Sequence, residues 1–124
     1  MSQGDVVPPE ELLTEPATEV AGSAGWLVVA RNRRVNHSWE ALSGRSAESA
    51  ARWYKYLRDC PTTRYPGRVF PLKGSVYKGA WECEVTSGDR VYYVPDERSR
   101  KVVVYYAGPH CEPAPRPRSG MRGC

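Results

Sequence analysis

From Leu72 to Val94 the chain reads LKGSVYKGAWECEVTSGDRVYYV, and from Trp81 onward apolar and polar residues alternate with period two. Such alternation marks a half-buried strand, because successive side chains point to opposite faces. Four strand-like runs follow Pro66-Gly67: Arg68–Leu72, Ala80–Val85, Arg90–Val94 and Lys101–Ala107. The links between them are short and contain Gly74, Gly79, Ser87-Gly88-Asp89 and Pro95-Asp96, which makes the strands antiparallel neighbours. Upstream, GWLVVA (Gly25–Ala30) is an apolar run rich in β-branched residues, and it predicts a buried strand ending at the basic loop RNRR.

Between these regions the period changes. Asn36–Leu42 carries a short helical signal. From Ser46, a good N-cap type, Ala47, Ala50, Ala51, Tyr54 and Leu57 recur at helical spacing, while Glu48, Arg52, Lys55 and Arg58 point elsewhere. Two helices broken near Ser43-Gly44 are expected, with Pro61 and Pro66 ending the second. A strand, two helices and a meander together predict an α+β fold, a small antiparallel sheet with both helices packed on one face.

Period two also sorts the faces. Trp81, Cys83 and Val85 fall on one side and suit the helix-covered core, which leaves Glu82 and Glu84 on the open side. In the next strand the more apolar pair, Val91 and Tyr93, goes inward and Arg90 and Tyr92 join the glutamates. In the last strand, Val102, Val104 and Tyr106 alternate with Val103, Tyr105 and Ala107, and the pattern leaves open which set is buried. The expected result is an open, concave surface carrying Glu82, Glu84, Arg90 and Tyr92, with His110 past the end of the last strand and Arg64, Arg68 and Lys73 on the approach. A histidine, a carboxylate and an arginine suffice for acid-base work on a phosphodiester. A cross-strand Glu-Arg pair is also ordinary sheet stabilisation.

Charge sharpens this picture. The net charge is +4, but residues 1–24 hold Asp5, Glu10, Glu11, Glu15 and Glu19 with no Lys or Arg, so positions 25–124 carry 18 basic against 9 acidic residues, or +9. A compact domain that positive attracts phosphate backbones or an acidic protein. Residues 1–24 read as a disordered acidic leader and residues 112–124 as a disordered Pro/Arg-rich tail, bounding a folded domain of 25–111. There is no secretory signal and no membrane-spanning run, which predicts a cytoplasmic protein. Cys60, Cys83, Cys111 and Cys124 are then expected to be reduced thiols, and none stands at zinc-ligand spacing, so neither a metal nor another cofactor is expected. Of Trp39, Trp53, Tyr54 and Tyr56, most suit core packing better than a partner groove; Trp53 is the exception, since it lies off the main apolar stripe.

The order of elements, PLKG before the hairpin, G-x-W opening the second strand of the meander, and DRVYYV followed by VVVYYAGPH resemble the RelE/ParE superfamily of bacterial toxin-antitoxin systems, its RelE and YoeB branch in particular. The resemblance spans Gly25 to His110 and is densest from Pro71. It implies a toxin that enters the ribosome and cuts mRNA by 2′-hydroxyl attack, held in check by an acidic antitoxin. Under it, Arg90 stabilises the phosphate, Lys73 is the basic residue after Pro-Leu, and His110 is the candidate general acid. The chain departs from the pattern at Glu82 and Glu84, where the family usually has Lys or Arg, at Phe70 in place of a carboxylate base, and at Cys111 in place of an aromatic. Glu82 or Glu84 could take the base role, with a pKa expected to be lowered by Arg90. Two other readings stand beside this one: a non-catalytic RNA- or protein-binding member of the fold, and a ParE-like toxin that binds gyrase.

Overall fold

The computed structural model of the protein describes residues 25–117; the acidic leader and the last seven residues lie outside them. The fold is α+β, as the sequence predicts. Strand β1 (Leu27–Ala30) leads into helices α1 (Arg33–Arg45) and α2 (Ala47–Asp59). Strands β2 (Val69–Pro71), β3 (Trp81–Glu84), β4 (Asp89–Asp96) and β5 (Lys101–Pro109) follow, with a short 3₁₀ turn at Ser75–Tyr77. The sheet order is β1-β5-β4-β3-β2. Strands β2 to β5 pair antiparallel, while β1 returns beside β5 in parallel, so the sheet is mixed and open.

Helix α1 starts three residues earlier than its periodicity suggests and takes in Arg33 and Arg34, the second half of RNRR. Asn32 is extended at the cap position and its side-chain oxygen accepts from the Val35 amide at 3.0 Å. Arg33 and Arg34 thus occupy a first turn where the helix dipole disfavours positive charge. The cap and the burial of Val35 offset that penalty. Asn32→Ala is therefore expected to lower the unfolding free energy by about 1 kcal/mol, read from urea melts. The break between helices falls at Ser46 rather than at Ser43-Gly44. Ser46 closes α1 through its amide, which donates to Leu42 O at 2.9 Å, and precedes α2 without making a side-chain cap.

Both helices cover one face of the sheet. There Val35, Leu42, Trp53 and Leu57 pack on Val28, Val91, Tyr93, Val102 and Val104. Trp53 is 4% exposed, so it belongs to the core despite lying off the main apolar stripe. Trp39 and Tyr54 are half-buried and line a small apolar pocket with Val28, Leu57 and Val104.

A β-bulge settles the last strand. Tyr92 pairs with Tyr106, but Tyr93 pairs with Val104, leaving Tyr105 as the extra residue. Val102, Val104 and Ala107 consequently face the helices, while Tyr105 and Tyr106 both face the other way. Neither alternating set survives intact.

The second face is not open either. Residues 111–117 run across it in no regular element, with Cys111 and Pro115 buried. The Tyr77 hydroxyl donates to Ala114 O at 2.7 Å, Tyr105 to Pro115 O at 2.8 Å, and Arg31 Nη1 to Pro117 O at 2.7 Å. A second apolar cluster results, centred on Ala80, Tyr92 and Tyr105. Cys60 and Cys83 are free thiols, as expected; Cys111 is disulfide-bonded, so the expectation of reduced cysteines does not hold there.

Candidate functional site

Strands β3 and β4 place the predicted residues together. In the antiparallel register Glu82 lies opposite Tyr92 and Glu84 opposite Arg90, which makes Glu82 the diagonal neighbour of Arg90 on one face. Arg90 Nε donates to Glu82 Oε2 at 3.1 Å, and Nη2 stands 4.0 Å from Glu84 Oε1. Arg90 Nη1 turns back on its own hairpin, donating to Thr86 O at 3.0 Å, Ser87 O at 3.2 Å and Asp89 O at 3.3 Å. The turn that supplies those carbonyls is itself tied. Thr86 Oγ1 accepts from the Gly88 and Asp89 amides, and Asp89 pairs with Arg45 of α1 at 2.9 Å.

Burial sets the electrostatics. The Glu82 carboxyl is pushed above the usual carboxylate range by desolvation, partly offset by the charge and hydrogen bond of Arg90 and by the charge of His110. The expected lowering by Arg90 is present but loses to burial. Burial likewise raises the Tyr92 phenol, with the nearby Glu82 charge adding to it, and pushes the Cys83 thiol up to about 12. Tyr92 is fully buried, with the Cys111 backbone of the tail against its hydroxyl.

The remaining predicted residues divide. His110 is exposed at the end of β5, and its amide donates to Gly88 O at 3.0 Å, which ties it to the same hairpin turn. Lys73 is exposed in the loop that leads to Ala80, and Arg64 is exposed before β2. Arg68 does not join the glutamates. Its guanidinium stacks over the Trp53 ring of α2, 5.4 Å from the centroid, on the helical side. Tyr92 shares the face with Arg90 as expected, but under cover rather than exposed. Sequence reasoning missed Arg31, Tyr77 and Tyr105, which hold the tail. The doubled tyrosine that breaks alternation in VVVYYA, and the alternating prolines of PAPRP, are the signals that bear on them.

Two helices pack against an open five-stranded mixed sheet whose β3–β4 hairpin carries Arg90 and two carboxylates. The chain is similar to the crystal structure of a metal-bound toxin from Helicobacter pylori, with a TM-score of 0.50 and 15% sequence identity over 67% of this chain and 92% of that one. No family model and no curated protein matches the chain. Among the described residues no group of three or more His, Cys, Asp or Glu side chains is placed to hold a metal ion, and no helix is long and apolar enough to cross a membrane.

Proposed function

We propose that this protein is a toxin of the RelE/ParE superfamily, neutralised in the cytoplasm by an acidic antitoxin, that acts on ribosome-bound messenger by binding RNA rather than cutting it. The fold and the positive charge of the domain support RNA as the target. The observation that carries binding over cleavage is the state of Arg90. Its side chain is 13% exposed and spends Nε on Glu82 and Nη1 on three hairpin carbonyls. A guanidinium so engaged clasps its own turn and offers little of its donor fork to a phosphate.

Cleavage is the second reading, and one observation favours it. Glu82, its carboxyl pKa raised by burial, lies close enough to exposed His110 for their charges to interact. A carboxylate tuned upward is a better base than an ordinary one. In that scheme Glu82 takes the 2′-hydroxyl proton and His110 returns one to the leaving oxygen.

Inducible expression with translation and transcript integrity followed in parallel separates the two. Under the binding reading translation stops while transcripts stay whole, and His110→Ala leaves the arrest unchanged. Cut transcripts in the wild type that stay whole with His110→Ala and Glu82→Gln would select cleavage. Unimpaired translation in the wild type would remove the toxin reading altogether.

A further inference from the structure

We propose that the acidic residues 1–24 dock in cis on the helical side of the domain, seating Leu12 and Leu13 in the apolar groove between α1, α2 and the edge strand β1. That groove lies across the sheet from Arg90 and Glu82, so docking there does not rest on the function proposed above.

The groove is built from three layers of contact. Val28 and Ala30 of β1, Val104 of β5, Trp39 of α1, and Tyr54 and Leu57 of α2 line it. Packing leaves Trp39 and Tyr54 only half-buried, with ring centroids 6.1 Å apart. Ala47 and Ala51 stand on the same flank of α2 as Tyr54 and are exposed, so the apolar surface continues along the helix with low relief. β1 ends the sheet, and among the described residues no strand lies beyond it. Half-covered aromatics at a pocket with arginines on its rim have the composition of a binding hot spot.

Those arginines stand at both ends of β1. Arg31, Arg33 and Arg34 are exposed where the strand runs into α1, whose first turn holds no acidic residue. At the other end the Arg58 carbonyl accepts from the Trp26 amide at 2.8 Å, and the Arg100 guanidinium lies over the Trp26 ring at 4.4 Å. Arg58 is also one helical turn beyond Tyr54, on the groove flank. Against this the two helices carry Glu40, Glu48 and Asp59, and Asp59 is paired with Lys55. The groove is therefore apolar in the middle and positive at its ends.

Residues 1–24 are the complement. They hold Asp5, Glu10, Glu11, Glu15 and Glu19 with no Lys or Arg, and their bulkiest apolar pair, Leu12-Leu13, falls between Glu11 and Glu15. An apolar pair bracketed by carboxylates matches an apolar groove bracketed by guanidiniums. The tether makes even a weak contact sufficient. The segment joins the domain at Gly25, and Val28 is three residues further on, about 10 Å away. Thr14–Ala24 spans that distance with ease, since it reaches about 40 Å when fully extended. An occupant so held has an effective concentration on the order of 1 mM, and a contact of about 0.1 mM in trans then fills the groove in roughly nine chains of ten.

The test keeps the full chain and changes only Leu12→Ser with Leu13→Ser, which alters no residue of the folded domain. A fluorescein-labelled peptide of residues 6–20 is titrated against this variant and the wild type. The variant is expected to bind it about tenfold tighter, because in the wild type the tethered copy competes. Arg58→Glu added to the variant should weaken peptide binding severalfold; Arg33→Glu takes its place if circular dichroism shows that Arg58→Glu unfolds the chain. Carbodiimide coupling of the wild type, mapped by mass spectrometry, should join Glu10, Glu11 or Glu15 to Lys55, the neighbour of Tyr54, within one chain.

Equal peptide affinity for the two proteins overturns the proposal, as does a peptide that binds neither or that ignores the arginine reversal. Coupling to Lys73 or Lys78 in place of Lys55 would put the segment elsewhere on the domain, and coupling only between chains would make the occupant a second copy. Either result overturns docking in cis. Neither measurement follows translation or RNA, so failure here and failure of the proposed function are distinguishable.

Discussion

Arg90→Ala is expected to cost about 3 kcal/mol of unfolding free energy at neutral pH, far more than an exposed ion pair would. Both partners are nearly covered, with 13% of the Arg90 side chain and 11% of Glu82 exposed. Removing the guanidinium leaves a buried carboxylate without its counter-charge and frees three hairpin carbonyls. Glu82 already has a raised pKa, so the folded chain holds that proton more tightly than the unfolded chain does. The associated stability is complete below the unfolded value and is lost as pH rises through the folded one. Without Arg90 the folded pKa climbs further. The penalty of Arg90→Ala should then shrink as pH falls from 7 toward 4.5, and Glu82→Gln in the Arg90→Ala background should recover part of it at pH 7. Urea melts of the wild type, Arg90→Ala and the Arg90→Ala/Glu82→Gln double variant at both pH values check this. A penalty under about 1 kcal/mol that ignores pH would mean the clasp contributes no more than a surface pair, and it would free Arg90 for a catalytic role.

Trp53→Ala is expected to cost about 4 kcal/mol, the scale for deleting a buried aromatic ring. The indole contacts Tyr56 at 5.3 Å and Tyr65 at 5.4 Å between centroids and carries the Arg68 guanidinium on its face. Trp53→Phe should cost much less than the ring count suggests. The indole N–H is buried without a hydrogen-bond partner, and phenylalanine removes that unpaid donor while keeping an aromatic ring. Thermal unfolding of the two variants side by side separates ring packing from desolvation. If Trp53→Ala left stability unchanged, Trp53 would be a surface residue available to a partner, and the core assignment would fail.

Much of the fold was legible because period-two alternation responds to a local, binary question of which face is wet. Trp81, Cys83 and Val85 went inward and Glu82, Arg90 and Tyr92 outward on that basis alone, and the register brings them together as expected. The helix boundaries were less legible. RNRR reads as a basic loop until the Asn32 side chain is seen capping Val35, and charge rules argue against arginines in a first turn. Trp53 misleads for another reason. The apolar stripe of α2 is counted against one flat face, whereas Tyr65 and Arg68 from the following segment wrap around the helix and bury its flank.

The candidate site shows the same division. Its membership followed from alternation and from the resemblance, but its electrostatic sign did not. A carboxylate next to an arginine should titrate low in water; Glu82 is raised because burial outweighs the pair, and burial is set by residues remote in sequence. Arg68 was misplaced because its backbone position on the approach says nothing of where a long side chain can stack.

By itself the sequence determined the α+β class, the order of elements, and the set of groups sharing a face with Arg90, since each depends on patterns only a few residues long. Only the tertiary structure decided that β1 returns parallel to β5, that a bulge turns Tyr105 and Tyr106 to one side, and that the tail lies over Tyr92. Those outcomes depend on contacts between segments far apart along the chain, where packing energy rather than local periodicity selects the arrangement.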